Sequence, residues 1–393
     1  MNRRFFSLQN NGVFLEGSIV THDSSTMIEI YGDGDQEPSS SPISLHNFSD
    51  EAEFVELLRQ ILNLDRVMVY RFTDNEDGEV IAESHITGIG SYLNHRYPAS
   101  DVPMVARRLY LINPWRTIRD RDGEAMPIAS IGQSPPDLTY SDVRSISPYH
   151  IDYMKAMGTY TSLSIPIAVD GRLWGLVSGH SEKFTKIPLT ALLKAKELSR
   201  RFNNKVLTDL HKRQFESLDR LGRMERRIRR YVLDELSIES ILSEIVDEFC
   251  TLTATSTVVA TNGDVVLSHN FQDPIENLEP LISLGNPFER PFHSEAMHID
   301  FPNLFSHYVG FVRVVFVFEG EVWNLLLFRG EEIEEITWGH RPDLPQPTPL
   351  THSSASPHTS FDSYVELRHG HCRSFTSNDI RTISTIARAL SYG

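Results

Sequence analysis

The sequence predicts an α+β protein of two mixed domains joined by one very long helix. Three observations carry that prediction. The chain has 393 residues, more than one ordinary hydrophobic core serves, so two domains are expected. Strand-like and helix-like stretches alternate irregularly at both ends of the chain. Between Pro188 and about Leu236 there is no interior proline and only one glycine, Gly222, while apolar residues recur at helical spacing.

Residues 12–31 read as two strands, GVFLEGSIV and STMIEIY, joined by the turn signal HDSS. GDGDQEPSSSPIS follows as a linker rich in breakers. From Asp50, EAEFVELLRQILNL sets Phe54, Leu57, Leu58, Ile61 and Leu62 on one helical face. RVMVYRF and GEVIAES are strands around the turn DNEDG, and Pro103 opens a short helix through Leu109. Tyr160–Ile167 and Gly175–His180 are strands around the hairpin signal VDGRLW. This first mixed domain spans roughly residues 46–190.

The helix 191–236 follows, with Gly222 as its one candidate break. At about 1.5 Å per residue it outruns the width of a domain, which suits a connector or dimer strut. Its run RLGRMERRIRRY reads as a solvated face in preference to a nucleic-acid contact. Next come the helix SIESILSEIVDEF and the strands TSTVVAT, DVVLS, YVGFVRVVFVFEG and EVWNLLLFR. Glu331–Phe361 then breaks the pattern: it is rich in proline, serine and threonine and too long for a routine connection. A final helix, Ser377–Leu390, closes the chain.

The formal net charge of -16 argues against a general nucleic-acid or anionic-membrane binder, since both need a basic face. Two cysteines, Cys250 and Cys372, leave no disulfide framework and no cysteine-rich zinc site, and suit a reducing cytoplasm. No run of about 18 apolar residues occurs, so no membrane span is expected. The chain carries no G-x-x-x-x-G-K loop, G-x-S-x-G elbow, H-E-x-x-H helix or kinase signature, so no enzyme activity and no metal site are expected.

The chemistry concentrates in HRYPASDVPMVARRLYLINPWR, DVRSISPYHIDYMKAMGTYTSLSIPI and DGRLWGLVSGH. Pro98 and Pro103 hold Asp101 in a stiff turn, where its carboxylate can cap the helix that follows or its backbone can face a ligand. Arg116 and Arg144 suit bidentate pairing with carboxylates. Ser162 and Ser164 share one face of a strand, with Leu163 and Ile165 on the other. His150 and His180 read equally as satisfied core histidines.

YPASDVP resembles the phytochrome GAF-domain signature P-A-S-D-I-P. RSISPYHIDYMKAMG resembles the R-x-x-S-P-x-H-x-x-Y-x-x-N-M-G region of that family, with Ala156 where asparagine is usual. DRVMVYRF and DGRLWGL are also typical of it. From about residue 46 to its end the chain is similar to a phytochrome photosensory core. The resemblance implies two GAF-like domains, each a central antiparallel sheet flanked by helices, joined by the long connecting helix. These would be a GAF domain at 46–190, the helix at 191–236, and a PHY domain at 237–393 with a long tongue loop at about 331–361. Residues 1–45 would be a remnant PAS-like hairpin and linker.

The resemblance also implies a cofactor, biliverdin or a related bilin. Asp101 would turn its carbonyl toward the pyrrole nitrogens and its carboxylate toward the tongue, and His150 would hold the pyrrole water. Arg116 and Arg144 would pair with the two propionates, helped by Ser147, Ser162 and Ser164. Tyr70, Tyr97 and Tyr153 would line the D-ring cavity, and His180 would bond the D-ring carbonyl.

The sequence departs from the family at three places. Bacterial members attach biliverdin to a cysteine ahead of a PAS domain, and others use a cysteine just before the pocket histidine, where this chain has Tyr149. Noncovalent binding is therefore expected, with a chromophore-free regulatory or dimerisation module as the alternative. ITWGH and PHTSF resemble the tongue motifs W-G/A-G and P-R-x-S-F, with His358 in place of the arginine that pairs with the aspartate matched by Asp101. A weaker, pH-sensitive latch is expected there. No output module follows, so the signal is expected to pass through the long helix to a homodimer partner and a separate histidine kinase or response regulator.

Overall fold

A computed structural model describes residues 2–10, 13–22, 25–33, 48–129, 136–284, 291–340 and 363–391. In chain order its elements begin with β1 (Asn2–Asn10), β2 (Val13–His22), β3 (Ser25–Asp33), α1 (Glu51–Leu62), β4 (Arg66–Phe72), β5 (Gly78–His85) and β6 (Arg96–Tyr97). Next are α2 (Met104–Ile112), β7 (Arg116–Ile118), α3 (Pro148–Ala156), β8 (Thr161–Val169), β9 (Arg172–Ser181) and α4 (Leu189–Leu233). α5 (Ile238–Thr253), β10 (Thr257–Thr261), β11 (Val266–His269), α6 (Glu279–Ile282), β12 (Phe292–Ser294) and α7 (Met297–Asp300) follow. The chain closes with β13 (Gly310–Phe318), β14 (Glu321–Arg329), β15 (Glu334–Trp338), β16 (Tyr364–Arg368) and α8 (Ser377–Leu390). Two compact units result, Met1–Asp209 with Ile336–Val365, and Leu210–Glu335 with Glu366–Gly393. Among the described residues no helix is long and apolar enough to cross a membrane.

The first unit holds two sheets. The smaller has the order β1-β2-β3, so the predicted hairpin gains a strand, β1, that the sequence did not suggest. NRRFFSLQN lacks a clean alternation because a charged residue, Arg3, sits on its buried side, where Glu29 neutralises it. The larger sheet has the order β16-β15-β6-β5-β4-β9-β8-β7, antiparallel through β6 to β7, with Trp338 of β15 pairing in parallel with Arg96. One face buries Leu163, Ile165 and Ile167 of β8 against α1 and the first turns of α4. Phe54 and Phe202 stack there at 4.3 Å. The opposite face carries a smaller cluster of Met68, Tyr70, Val80, Tyr97 and Leu176. The period of two in β8 thus sends the leucine and isoleucines to the core and the two serines the other way.

α4 runs for 45 residues without a break at Gly222, and residues on either side of Asp209 belong to different units. In the second unit the sheet order is β11-β10-β14-β13-β12. One face packs against α5, α8 and the end of α4 through Met224, Ile228, Ile245, Phe249 and Ile383. The other face carries Phe311, Phe328, Met297 and Tyr308.

The segment 331–361, expected as one loop, begins with a strand. Ile336 and Trp338 alternate inward in β15, a signal hidden in the sequence by the acidic run before it. Residues 341–361, His358 among them, lie outside the described residues.

Candidate binding pocket

The polar side of the larger sheet faces a cavity with about 760 Å³ of space between atoms, its mouth included. Of the residues singled out in the sequence, Tyr70, Tyr97, Asp101, Arg116, His150, Tyr153, Ser162, Ser164 and His180 line it. Arg144 and Ser147 do not. Ser147 instead caps α3, its Oγ accepting the N–H of His150 at 3.2 Å. Arg144 donates to the carbonyl of Ser141.

The Pro98–Pro103 segment makes a short 3-10 turn at Ala99–Asp101. Asp101 does not cap α2, whose N-cap position is Pro103 with no side-chain bond. The turn is fixed from behind by Arg107, which donates to the carbonyls of Val102 at 2.7 Å and Glu76 at 2.6 Å. Asp77 accepts the N–H of Ala99 at 3.1 Å. With its backbone held, Asp101 turns its carboxylate toward α3 and toward His340, two residues past the end of β15. Its Oδ2 accepts from the Tyr153 hydroxyl at 3.1 Å and lies 2.7 Å from Nε2 of His340. Both side chains of the Asp101–His340 pair are 3 % exposed or less. The histidine found at Asp101 is thus the last residue of WGH.

Among the described residues, three buried polar atoms on the lining have no hydrogen-bond partner: Tyr97 Oη, Asp101 Oδ1 and His180 Nδ1. Each such group costs about 1–3 kcal/mol when left unsatisfied. A ligand that meets them recovers that cost.

The electrostatics favour a neutral floor and a cationic end. Burial, with Arg66 and His150 nearby, lowers the pKa of His180 to about 3. Burial and Arg116 lower that of His150, so both rings are neutral near pH 7. Burial pushes the phenols of Tyr70, Tyr97 and Tyr153 upward, keeping them protonated donors. Burial first, and then Arg144, lower the pKa of Arg116. Two guanidinium groups close enough to repel each other at a partly dry site favour an anion.

Glycine makes room for two of the tyrosines. A Cβ on Gly78 would lie 1.6 Å from the Tyr70 ring, and one on Gly339 would lie 2.3 Å from the Tyr97 ring. Other lining residues escaped the sequence reading: Met68, Val80, Val102, Tyr110, Ile118, Met157, Leu176 and Ser178. Some were within reach of it, because Leu176 and Ser178 share a strand face with His180 by the period of two. Tyr110 on α2 carried no such mark.

Comparisons with known proteins fit this architecture. A family model described as a GAF domain matches residues 52–194, and one described as the phytochrome region matches residues 222–392. A bacteriophytochrome of Pseudomonas aeruginosa is 31% identical over 347 residues, which are 86% of this chain and 46% of that protein. A bacteriophytochrome of Xanthomonas campestris pv. campestris is 29% identical over 338 residues, 80% of this chain and 52% of that protein. The chain therefore spans about half the length of these relatives. Among solved structures, a bacteriophytochrome from R. palustris matches with a TM-score of 0.75 at 24% identity, covering 99% of this chain and 82% of that one. The photosensory core module of the Stigmatella aurantiaca phytochrome matches at 0.73 and 23%, covering 98% and 81%. At that identity the structural likeness speaks for the fold alone.

Proposed function

This chain belongs to the phytochrome family, and from that premise we propose that it is a red/far-red photosensory module whose first unit holds a bilin noncovalently. The observation that carries the reading is the lining of one cavity by three unsatisfied buried polar atoms with the Arg116 guanidinium beside them. A linear tetrapyrrole offers ring N–H groups and carbonyls to the first set and carboxylates to the second. When bound, it supplies light absorption and isomerisation at its C15=C16 double bond.

The chain's own residues would bind and orient that group. Arg116 would exchange bonds to backbone carbonyls for a carboxylate, with Arg144 one loop turn away. Ser162 and Ser164 would donate alongside, and Ser147 would act only by capping the helix that carries His150. His150 and His180, held neutral, would each offer one donor and one acceptor. Tyr70, Tyr97 and Tyr153 would pack around the ligand as protonated phenols. Neither Cys250 nor Cys372 lines the cavity, and burial raises the pKa of both thiols, Cys372 to about 11. Both facts favour noncovalent binding. The signal would leave through the Asp101–His340 contact and α4, toward a second copy of the chain and a separate histidine kinase or response regulator. The module itself would be a sensor without catalysis.

The test is to mix the purified chain with biliverdin. Spectra are recorded after gel filtration, after red light and after denaturation. A red-shifted band that photoconverts and is lost on denaturation is the expected result. Absence of a band with biliverdin and with phycocyanobilin overturns the reading in favour of a chromophore-free regulatory module. Arg116→Ala should weaken binding by about tenfold or more, the scale of a lost charge-assisted pair. Arg144→Ala should weaken it less.

A further inference from the structure

The segment 140–145 is held from two sides. Its inner side seats the site's cations: Arg116 donates to the carbonyls of Asp142 and, at 2.7 Å, of Arg144, and Arg144 donates to that of Ser141. Its outer side rests on the small N-terminal sheet. Oε1 of Glu29, on β3, accepts the N–H of Asp142 at 2.7 Å and that of Val143 at 3.4 Å. Oε2 of the same carboxylate accepts from Arg3 Nη1 at 2.9 Å and from Ser18 Oγ at 3.1 Å. Arg3 also donates to the carbonyl of Tyr140. The Glu29 side chain is 2 % exposed and that of Arg3 5 %, so water does not screen the pair and the hydrogen bonds are strong.

We propose that Glu29 is the positioning residue for both arginines, so that the N-terminal sheet sets the pocket's preference for a ligand carrying carboxylates. This rests on the reading that Arg116 and Arg144 serve ligand carboxylates. Among the described residues Glu29 makes no hydrogen bond to a lining residue of the cavity. It acts through two backbone N–H groups, and the peptide units it grips are those whose carbonyls hold the guanidinium groups. A shift of the segment moves both cations together, and misplacement by about 1 Å is enough to cost a site most of its selectivity.

Two variants test this, Glu29→Ala and the isosteric Glu29→Gln, with circular dichroism to establish that each is folded. The first readout needs no ligand: hydrogen exchange of the side-chain N–H groups by NMR. Arg116 and Arg144 should exchange at least about tenfold faster than in the parent chain, while Arg66, buried against Glu83, should not change. The second readout is affinity for biliverdin against its dimethyl ester. The free acid should lose about tenfold and the ester should be unaffected. Unchanged exchange at Arg116 and Arg144 in a folded variant overturns the proposal, as does equal acceleration at Arg66. Equal loss of acid and ester does so too. If the parent chain binds neither compound, the bilin reading fails on its own, and the exchange rates still decide the role of Glu29.

Discussion

His180 shows how single residues here are set by surroundings the sequence does not display. Its Nε2 meets Ser178 Oγ at 3.1 Å, its Nδ1 has no hydrogen-bond partner among the described residues, and Arg66 lies across the strand pair from it. Burial drives its pKa to about 3, so the folded chain refuses a proton that the unfolded chain accepts below about 6.5. The folded pKa is the lower one, so stability is complete above 6.5 and is lost as pH falls toward 3. Between pH 7 and pH 5 the loss is ~2 kcal/mol, because the folded value need only lie well below 5 for that difference to hold. His180→Gln should remove most of this slope. Thermal melts of parent and variant at pH 7 and pH 5 measure it, and equal slopes would show that the ring is protonated or solvated in the fold. His150 titrates in the same sense and is present in both chains, so it cancels. The two histidines were legible as pocket candidates only through the motif they sit in. At Asp101 the sequence pointed to His358, which lies outside the described residues, and gave no sign of His340, whose Nε2 lies 2.7 Å from Oδ2, since no periodic signal marks a histidine that reaches a buried carboxylate.

Elements were easier to read where their own pattern was clean. α8 was legible to its ends because a capping box opens it, Thr376 Oγ1 accepting the N–H of Asp379 at 3.1 Å and Asp379 returning to the N–H of Thr376 at 3.0 Å. β1 was missed because an inward Arg3 breaks its alternation, and β15 because an acidic run precedes its two inward positions, Ile336 and Trp338. Asp379 also does something no local pattern reveals. Its Oδ2 accepts from Arg329 Nη2 of β14 at 3.0 Å, and both side chains are 4 % exposed. The same guanidinium donates to the carbonyls of Ala254 at 3.0 Å and Arg373 at 2.7 Å, and covers the Phe375 ring at 3.9 Å. One ion pair therefore ties helix to sheet and also fixes the ends of α5 and of the loop before α8. Asp379→Ala leaves the arginine buried without its counter-charge and should destabilise the second unit by about 3–5 kcal/mol. Urea unfolding followed through Trp323, the one tryptophan of that unit's core cluster, gives the number. A shift under about 1 kcal/mol would mean that the carbonyls alone hold Arg329.

At the scale of the whole chain, two mixed units and a long helix were legible because composition, breaker placement and helical spacing agree over long windows. What such windows cannot tell is whether an apolar residue on the helix faces its own chain or another. Leu192, Leu198, Phe202 and Val206 of α4 are buried in the first core, and Leu221, Met224 and Ile228 in the second. Between them Leu210, Phe215 and Leu218 are exposed, Phe215 by 71%. His211, Phe215, Leu218 and Gly222 follow one another at steps of four, three and four, the spacing of a seam between paired helices. At Gly222 a Cβ would meet nothing nearer than Arg226 Nη1 at 3.5 Å, which leaves space for another backbone to approach. One charge beside the stripe is paired within the helix, Asp219 with Arg223. A second copy presenting the same stripe would be self-complementary and would close as a dimer. Sedimentation equilibrium should therefore give a dimer for the parent chain and a monomer for Phe215→Glu and Leu218→Glu, with circular dichroism unchanged. A parent chain that stays monomeric at high micromolar concentration would remove the helix as a dimer strut. So would variants that keep the parent's mass, because a charge buried in the seam cannot be tolerated at that cost.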